Sequence, residues 1–433
     1  MIWFYRLLYP FLTLLLSPYY LRRMIKRGGY GRKLAYRLGL WPKLPARKKG
    51  IQRIWIQAVS VGELSSIGKL LESFLADPTF EIVLSGTTST GLAIAEKKYG
   101  KRILAQGPFP LDWLPFSRLA WSRINPDLAL TVDSELWPEH MHQAKKRGVP
   151  FIIVNARLSD RSFRRLQFFR FLHGILLPPT MHILASSEKQ VDRWLSLGLD
   201  SEKVMVTGNL KVDSASKSPP TTEDILKLKT EFGFSQNSFV LVGVSTWPGE
   251  EETLINAINE LRNKNLDARL LLVPRHAERR EDVRKCLAAS GLSFHLRSES
   301  SRADNGTIVY LADTTGELPS LIGAGDMAFL GKTLPPNNGG QNPMEPISLG
   351  LPLVVGPAYQ NFRESCAELF SDGAAFKAES KENAKKLICQ FAVDSNKNKN
   401  AKVACFEWIK RQGSPTGTTL KILQEILIQK DRI

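Results

Sequence analysis

Several short stretches of this chain combine residue types that bind anions or move protons. In Gly339-Gly340-Gln341-Asn342-Pro343-Met344-Glu345-Pro346 two glycines let the backbone come close to a ligand, and a polar residue followed by Pro opens a helix whose free N–H groups face an anion. Asn342 and Glu345 are three apart, which predicts one shared face on the first helical turn, a spacing suited to a nucleotide's ribose and phosphate. The same residues also punctuate helices that bind nothing. Ser60-Val61-Gly62-Glu63 follows an apolar run, so Glu63 is expected at a strand's carboxyl end and a helix's amino end, where a carboxylate can take a proton. An acid in a first turn also simply offsets the helix dipole. Asp133-Ser134-Glu135 has the same placement, and its two carboxylates could bind a metal, although no Asp-x-Asp occurs in the chain. Arg157 and Lys211 follow strands in the same way and would turn cations toward a ligand, Arg as a bidentate clamp and Lys as a mobile point charge. Pro274-Arg275-His276 ends another strand, and Gly316-Glu317-Leu318 opens another helix; a lone histidine such as His276 is more often structural than catalytic.

These groups need a scaffold that delivers them to one edge. From Ile51 onward short β-branched runs alternate with amphipathic segments, the rhythm of doubly wound α/β domains. Strands are predicted at 54–59, 81–84, 128–132, 151–154, 182–185 and 204–207, and again at 239–244, 270–273, 307–311, 327–330 and 353–355. Residues 213–222, rich in Ser, Lys, Pro and Thr, read as a linker. The chain thus divides into an N-terminal anchor and basic segment (1–50), a first Rossmann-like domain (51–212), the linker, a second Rossmann-like domain (223–421) and an amphipathic end (422–433) that packs back on the first. Two domains of about 150–200 residues are what 433 residues imply.

The formal charge of +17 is unevenly spread. Residues 1–62 hold thirteen Lys or Arg and no acid, leaving 46 basic against 42 acidic residues in the rest. A nearly balanced body excludes a nucleic-acid binder and points the basic end at an anionic lipid surface. Met1 to Tyr20 is apolar and aromatic but interrupted by Arg6, Pro10 and Pro18, which fits a helix lying in or dipping through an interface. Arg22, Arg23, Lys26, Arg27, Arg32, Lys33 and Arg37 follow and place the body on the cytoplasmic side. The four cysteines, Cys286, Cys366, Cys389 and Cys405, show no pairing or metal spacing and read as free thiols.

Taken in order, Ser60-Val61-Gly62-Glu63, Glu135-Leu136-Trp137-Pro138, Gly208-Asn209-Leu210-Lys211, Pro274-Arg275-His276 and the Gly339–Pro346 stretch resemble the 3-deoxy-D-manno-oct-2-ulosonic acid (Kdo) transferases of lipid A assembly. The resemblance covers nearly the whole chain. It implies a GT-B fold, with two Rossmann-like domains facing across a cleft behind an N-terminal membrane-anchoring helix. It also implies inverting transfer of Kdo from CMP-Kdo to the lipid A precursor (lipid IVA), with no metal or other cofactor, at the cytoplasmic face of the inner membrane. By the same resemblance Glu63 is the general base, and Asp133 and Lys211 steady the transition state. Pro274, Arg275, Gly316, Glu317, Leu318, Asn342, Pro343, Met344 and Glu345 contact cytidine monophosphate. Three positions depart from the family's usual pattern: Asp133-Ser134-Glu135 for Glu-Thr-Glu, Trp247 for His, and Gly331-Lys332-Thr333 for Gly-Gly-Ser. The alternatives are another GT-B nucleotide-sugar transferase or epimerase, or an inactive membrane-anchored homologue.

Overall fold

The computed structural model describes residues 2–26, 29–58, 60–178, 180–215 and 219–431; Arg27, Val59 and part of the expected linker lie outside the described residues. The chain forms two compact units, Met1–Ser214 with Ser414–Ile433, and Ala215–Gly413. The sequence set these boundaries within 213–222 and at 421/422, so the return to the first unit begins earlier than expected.

The first unit is built on strands β1 (Gln52–Gln57), β2 (Phe80–Gly86), β3 (Ala105–Pro108), β4 (Leu128–Val132), β5 (Phe151–Ala156), β6 (Met181–Ala185) and β7 (Val204–Val206). They pair in parallel in the order β3-β2-β1-β4-β5-β6-β7. Parallel strands need helical crossovers, and these cover both faces, so a central strand such as β4 is buried along its whole length. Trp55, Ala129 and Ile153 pack with Trp41, Trp121 and Trp194 on one face. Ile54, Ile56, Leu130 and Val154 pack with Leu70 and Phe74 on the other, where Leu423 and Leu427 of the helix Pro415–Asp431 complete the core. That helix is pinned at both ends, by Thr416 N–H donating to Asp213 (2.5 Å) and by Lys430 to Asp127 (3.1 Å).

The second unit contains β8 (Phe239–Thr246), β9 (Ala268–Pro274), β10 (Phe294–Leu296), β11 (Val309–Leu311), β12 (Met327–Leu330), β13 (Leu353–Val355) and β14 (Ala375–Lys377). Its order is β10-β11-β9-β8-β12-β13-β14, again all parallel. The order reverses between β1 and β4 in one unit and between β8 and β12 in the other. At such switch points the loops after neighbouring strands turn away from each other and leave a crevice at the carboxyl edge.

The helix Ile2–Lys26 runs through Pro10 and Pro18. One side is fastened to the first unit: Tyr5 O–H donates to Asp112 (2.6 Å), Trp113 Nε1–H to the Arg6 carbonyl (3.0 Å), and the Arg6 guanidinium grips Glu139 through two bonds of 2.8 and 3.0 Å. Arg37 likewise turns inward, donating to the Phe109 carbonyl (2.6 Å). Arg37 therefore belongs to the interior and not to the basic run in which the sequence placed it, and Arg6, which interrupts the apolar stretch, is also turned inward. Glu139 is fully buried, so removing its partner would cost on the order of 3–5 kcal/mol. The other side exposes Trp3, Phe4, Leu7, Phe11, Leu14 and Leu15. Among the described residues no helix is long and apolar enough to cross a membrane.

Candidate active site

In the first unit four strand ends deliver one cluster of charges. Ser60 caps the helix Val61–Ser66 by accepting from Glu63 N–H (3.3 Å), which puts the Glu63 carboxylate in the first turn beyond β1. Across the switch point, Asp133 follows β4 and is held by Asn155 Nδ2 (2.7 Å) and Arg157 Nη2 (2.9 Å), both from the end of β5. The buried Asn155 also accepts from Leu210 N–H (3.0 Å), so one amide ties the Asp133 loop to the start of the Lys211 helix. Glu135 is pushed up to about 7, first by burial and then by the Glu63 charge, with Asp133 adding to it. The Lys211 ammonium is lowered by burial and by Arg157, against the opposing pull of Asp133 and Glu63. These groups sense one another, and together they supply a carboxylate able to take a proton, a protonatable carboxyl in its field, and two cations. Such a set can deprotonate a hydroxyl while offsetting negative charge.

The second unit builds its edge from backbone. Glu250, fully buried at the start of the helix Glu250–Asn263, accepts from the N–H groups of Trp247 (2.8 Å), Lys332 (2.8 Å), Thr333 (2.8 Å) and Leu334 (3.1 Å). Burial raises its carboxyl while these donors pull it back down. The loops after β8 and β12 are thereby stapled across the switch point. A Cβ on Gly331 would lie 2.0 Å from the Ser245 carbonyl oxygen, so only glycine permits this approach. Gly340 N–H donates to the Lys332 carbonyl (3.0 Å), bringing the glycine pair against the same loop. Gly339 and Gly340 have φ of 109° and 75°, which glycine adopts without strain.

Among the described residues six non-glycines have positive φ, and four of them, Asp133, Asn155, Ser245 and Lys332, lie at the carboxyl ends of β4, β5, β8 and β12. The other two, Asn125 and Asn265, lie just beyond helices, where Asn commonly sits. Backbone strain is thus concentrated at the two edges that carry the candidate groups.

The structure brings Glu63, Asp133 and Lys211 together in the first unit. In the second, Pro274 ends β9 and Arg275 is exposed beside it, its N–H donating to the Thr246 carbonyl (3.2 Å). Gly316 has φ of 88°, Glu317 precedes the short helix Leu318–Leu321, and the Glu317 carboxylate is occupied by the Arg297 fork (3.0 and 2.8 Å) and by Thr314. Those bonds, Arg297 first, pull it down to about 2, so what this turn offers a ligand is its backbone. The expected shared face of Asn342 and Glu345 is corrected. The helix is Met344–Ser348, and Asn342 lies outside it, with its Oδ1 accepting from Met344 N–H (3.2 Å). Pro343 has no N–H to offer, so the cap bond passes to Met344. Sequence reasoning missed Asn155 and Glu250 as organisers and Glu135 as a carboxyl that burial and the Glu63 charge raise. A polar residue directly after a buried strand was the signal available for Asn155. Among the described residues no group of three or more His, Cys, Asp or Glu is disposed to hold a metal ion.

A family model described as 3-deoxy-D-manno-octulosonic-acid transferase (kdotransferase) matches residues 32–214. The chain is 32% identical over 346 residues to a 3-deoxy-D-manno-octulosonic acid transferase of Haemophilus influenzae, covering 78% of each chain. It is 30% identical over 360 residues to that of Chlamydophila psittaci, covering 82% of this chain and 81% of the relative. Among solved structures, the UDP-GlcNAc 2-epimerase of Neisseria meningitidis bound to UDP-GlcNAc superimposes with a TM-score of 0.57 at 17% identity, over 87% of this chain and 100% of that one. A putative UDP-N-acetylglucosamine 2-epimerase of Listeria monocytogenes gives 0.59 at 13% identity, over 88% and 98%. At these identities the two structures share the fold alone, two doubly wound α/β units of the GT-B type.

Proposed function

The chain belongs to the 3-deoxy-D-manno-octulosonic-acid (Kdo) transferase family, and from that premise we propose that it moves Kdo from CMP-Kdo to a hydroxyl of the lipid A precursor, lipid IVA, inverting the anomeric carbon. The carrying observation is the charge cluster of the first unit, where Glu63 stands beside Glu135, Asp133 and Lys211. Glu63 takes the proton of the acceptor hydroxyl as its oxygen bonds to the anomeric carbon, and the bond from that carbon to the phosphate oxygen breaks to release CMP. Lys211 and the Asp133–Arg157 pair steady charge during this step. In the second unit Pro274, Arg275, the Gly316–Leu318 turn and Asn342 to Glu345 hold the nucleotide, Arg275 as cation and the turns through backbone N–H groups. The reaction uses no metal.

We place the enzyme at the cytoplasmic face of the inner membrane. The exposed apolar side of the Ile2–Lys26 helix supports this, as do the exposed Phe168, Phe169 and Phe171, which alternate with Arg161, Arg164, Arg165 and Arg170 in the first unit. Incubation of the full chain with CMP-Kdo and lipid IVA, followed by mass spectrometry, tests the assignment. The expected result is acceptor gaining the mass of a Kdo residue (Kdo less one water) and release of CMP; intact donor and acceptor would overturn it.

A further inference from the structure

Lys332 stands out in the second unit. It follows β12 at the switch point with φ of 63°, a conformation that disfavours any side chain with a Cβ, in a loop where glycine would sit unstrained. Its backbone is fixed on both sides, the N–H by Glu250 (2.8 Å) and the carbonyl by Gly340 (3.0 Å), so the strain cannot relax. Its ammonium lies 4.6 Å from the centre of the Trp247 ring, and that ring meets His276 edge-on at 5.3 Å. Among the described residues no carboxylate pairs with the ammonium, whose contact is the Trp247 ring. A strained backbone therefore presents an unpaired cation, stacked on an aromatic platform, at the edge where open α/β sheets take their ligands.

From this geometry we infer that Lys332, held on Trp247, is an anion-binding residue of the donor site that contacts either the nucleotide phosphate or the sugar carboxylate. Lys332 is the binding residue and Trp247 positions it. The inference rests on the donor assignment above and adds to it a cation outside the residues expected to touch the nucleotide.

The test compares Lys332→Gly with the parent full chain. Glycine removes the charge and relieves the backbone, so the melting temperature should hold or rise while anion affinity falls roughly 10- to 100-fold, the range for a lost charged partner. If the phosphate is the partner, calorimetric affinity for CMP falls and KM for CMP-Kdo rises; if the carboxylate is, only KM for CMP-Kdo rises. Trp247→Leu should raise KM several-fold at unchanged kcat, and Trp247→Phe should restore it. Unchanged CMP affinity and unchanged KM in Lys332→Gly overturn the inference, as does a loss of melting temperature that accounts for the weaker binding. A UDP arm separates this from failure of the donor assignment. A parent chain that binds UDP and not CMP sinks that assignment, whereas a Lys332→Gly loss measured on UDP still supports the anion site.

Discussion

The two units repeat one design and finish it differently. Each is a seven-stranded parallel sheet with a reversal of strand order near its middle. At the first unit's edge the candidate groups are side chains, namely Glu63, Asp133, Glu135, Arg157 and Lys211, with Asn155 tying the Asp133 loop to the start of the Lys211 helix. At the second unit's edge the buried Glu250 gathers backbone N–H groups and glycines close the loops, leaving few charges free. The difference fits the task proposed for each. Proton transfer needs groups that titrate, whereas holding a phosphate is done well by fixed amides.

Four substitutions press on this contrast. The largest effect is expected from Glu63→Gln, which keeps the shape but removes the proton acceptor. Turnover should fall by about 10²–10⁴-fold while CMP affinity stays near the parent value. If Glu63 only offsets the helix dipole, turnover instead stays near normal with a stability loss of about 0.3–1 kcal/mol, and the side-chain half of the contrast collapses. Next is Glu250→Ala. It orphans several buried donors at about 1–3 kcal/mol each, so the second unit should lose more than about 3 kcal/mol and CMP binding with it. Calorimetry that finds the second unit's transition unmoved would show the staple to be dispensable.

A smaller effect is expected at Arg275, exposed at the end of β9. Arg275→Ala should weaken CMP binding by about 1–3 kcal/mol without shifting the melting temperature, and unchanged titration heats would remove this cation from the donor site. The smallest effect is a pH dependence. Burial and Glu63 raise Glu135 from its ordinary 4.5 to about 7, so its share of stability is complete below about pH 4.5 and is lost as pH rises through 7. Glu135→Gln should therefore match the parent near pH 4 and exceed it near pH 8. The gain should be on the order of 1–2 kcal/mol, discounted from ~1.36 kcal/mol per unit because solvent reaches the group. Denaturation curves that differ equally at both pH values would mean that Glu135 does not titrate against its neighbours.

The central strands were legible because burial on both faces leaves an uninterrupted apolar run. Leu128–Val132, Met327–Leu330 and Leu353–Val355 fall where the sequence put them. The three strands the sequence missed, β3, β10 and β14, all lie at sheet edges. There a neighbour on only one side relaxes the demand for apolar residues, and Ala105-Gln106-Gly107-Pro108 or Phe294-His295-Leu296 carries little pattern. In the site, the placement of Glu63, Asp133 and Lys211 after strands could be read from the chain, because the end of an apolar run marks the edge. Their mutual arrangement could not, since it depends on Asn155 and Arg157 reaching across strands. Glu250 was hidden for the same reason, because its four donors come from two loops some eighty residues apart in sequence. Arg6 reads as one more cation in a basic region, and only the fold reveals that it neutralises Glu139.

The return of Ser414–Ile433 to the first unit bears on the order in which the protein is made. Leu423 and Leu427 fill one face of a sheet whose strands were all synthesised before residue 207, and everything from Ala215 to Gly413 belongs to the other unit. The second unit, being continuous, has its whole sequence available before the first has received its last helix. During synthesis the first unit must therefore wait with part of its apolar face open, as a chain growing from the ribosome folds what it already holds. A chaperone that recognises exposed leucine-rich surface should engage nascent chains stalled before Ser414 and release those stalled after the final helix has emerged.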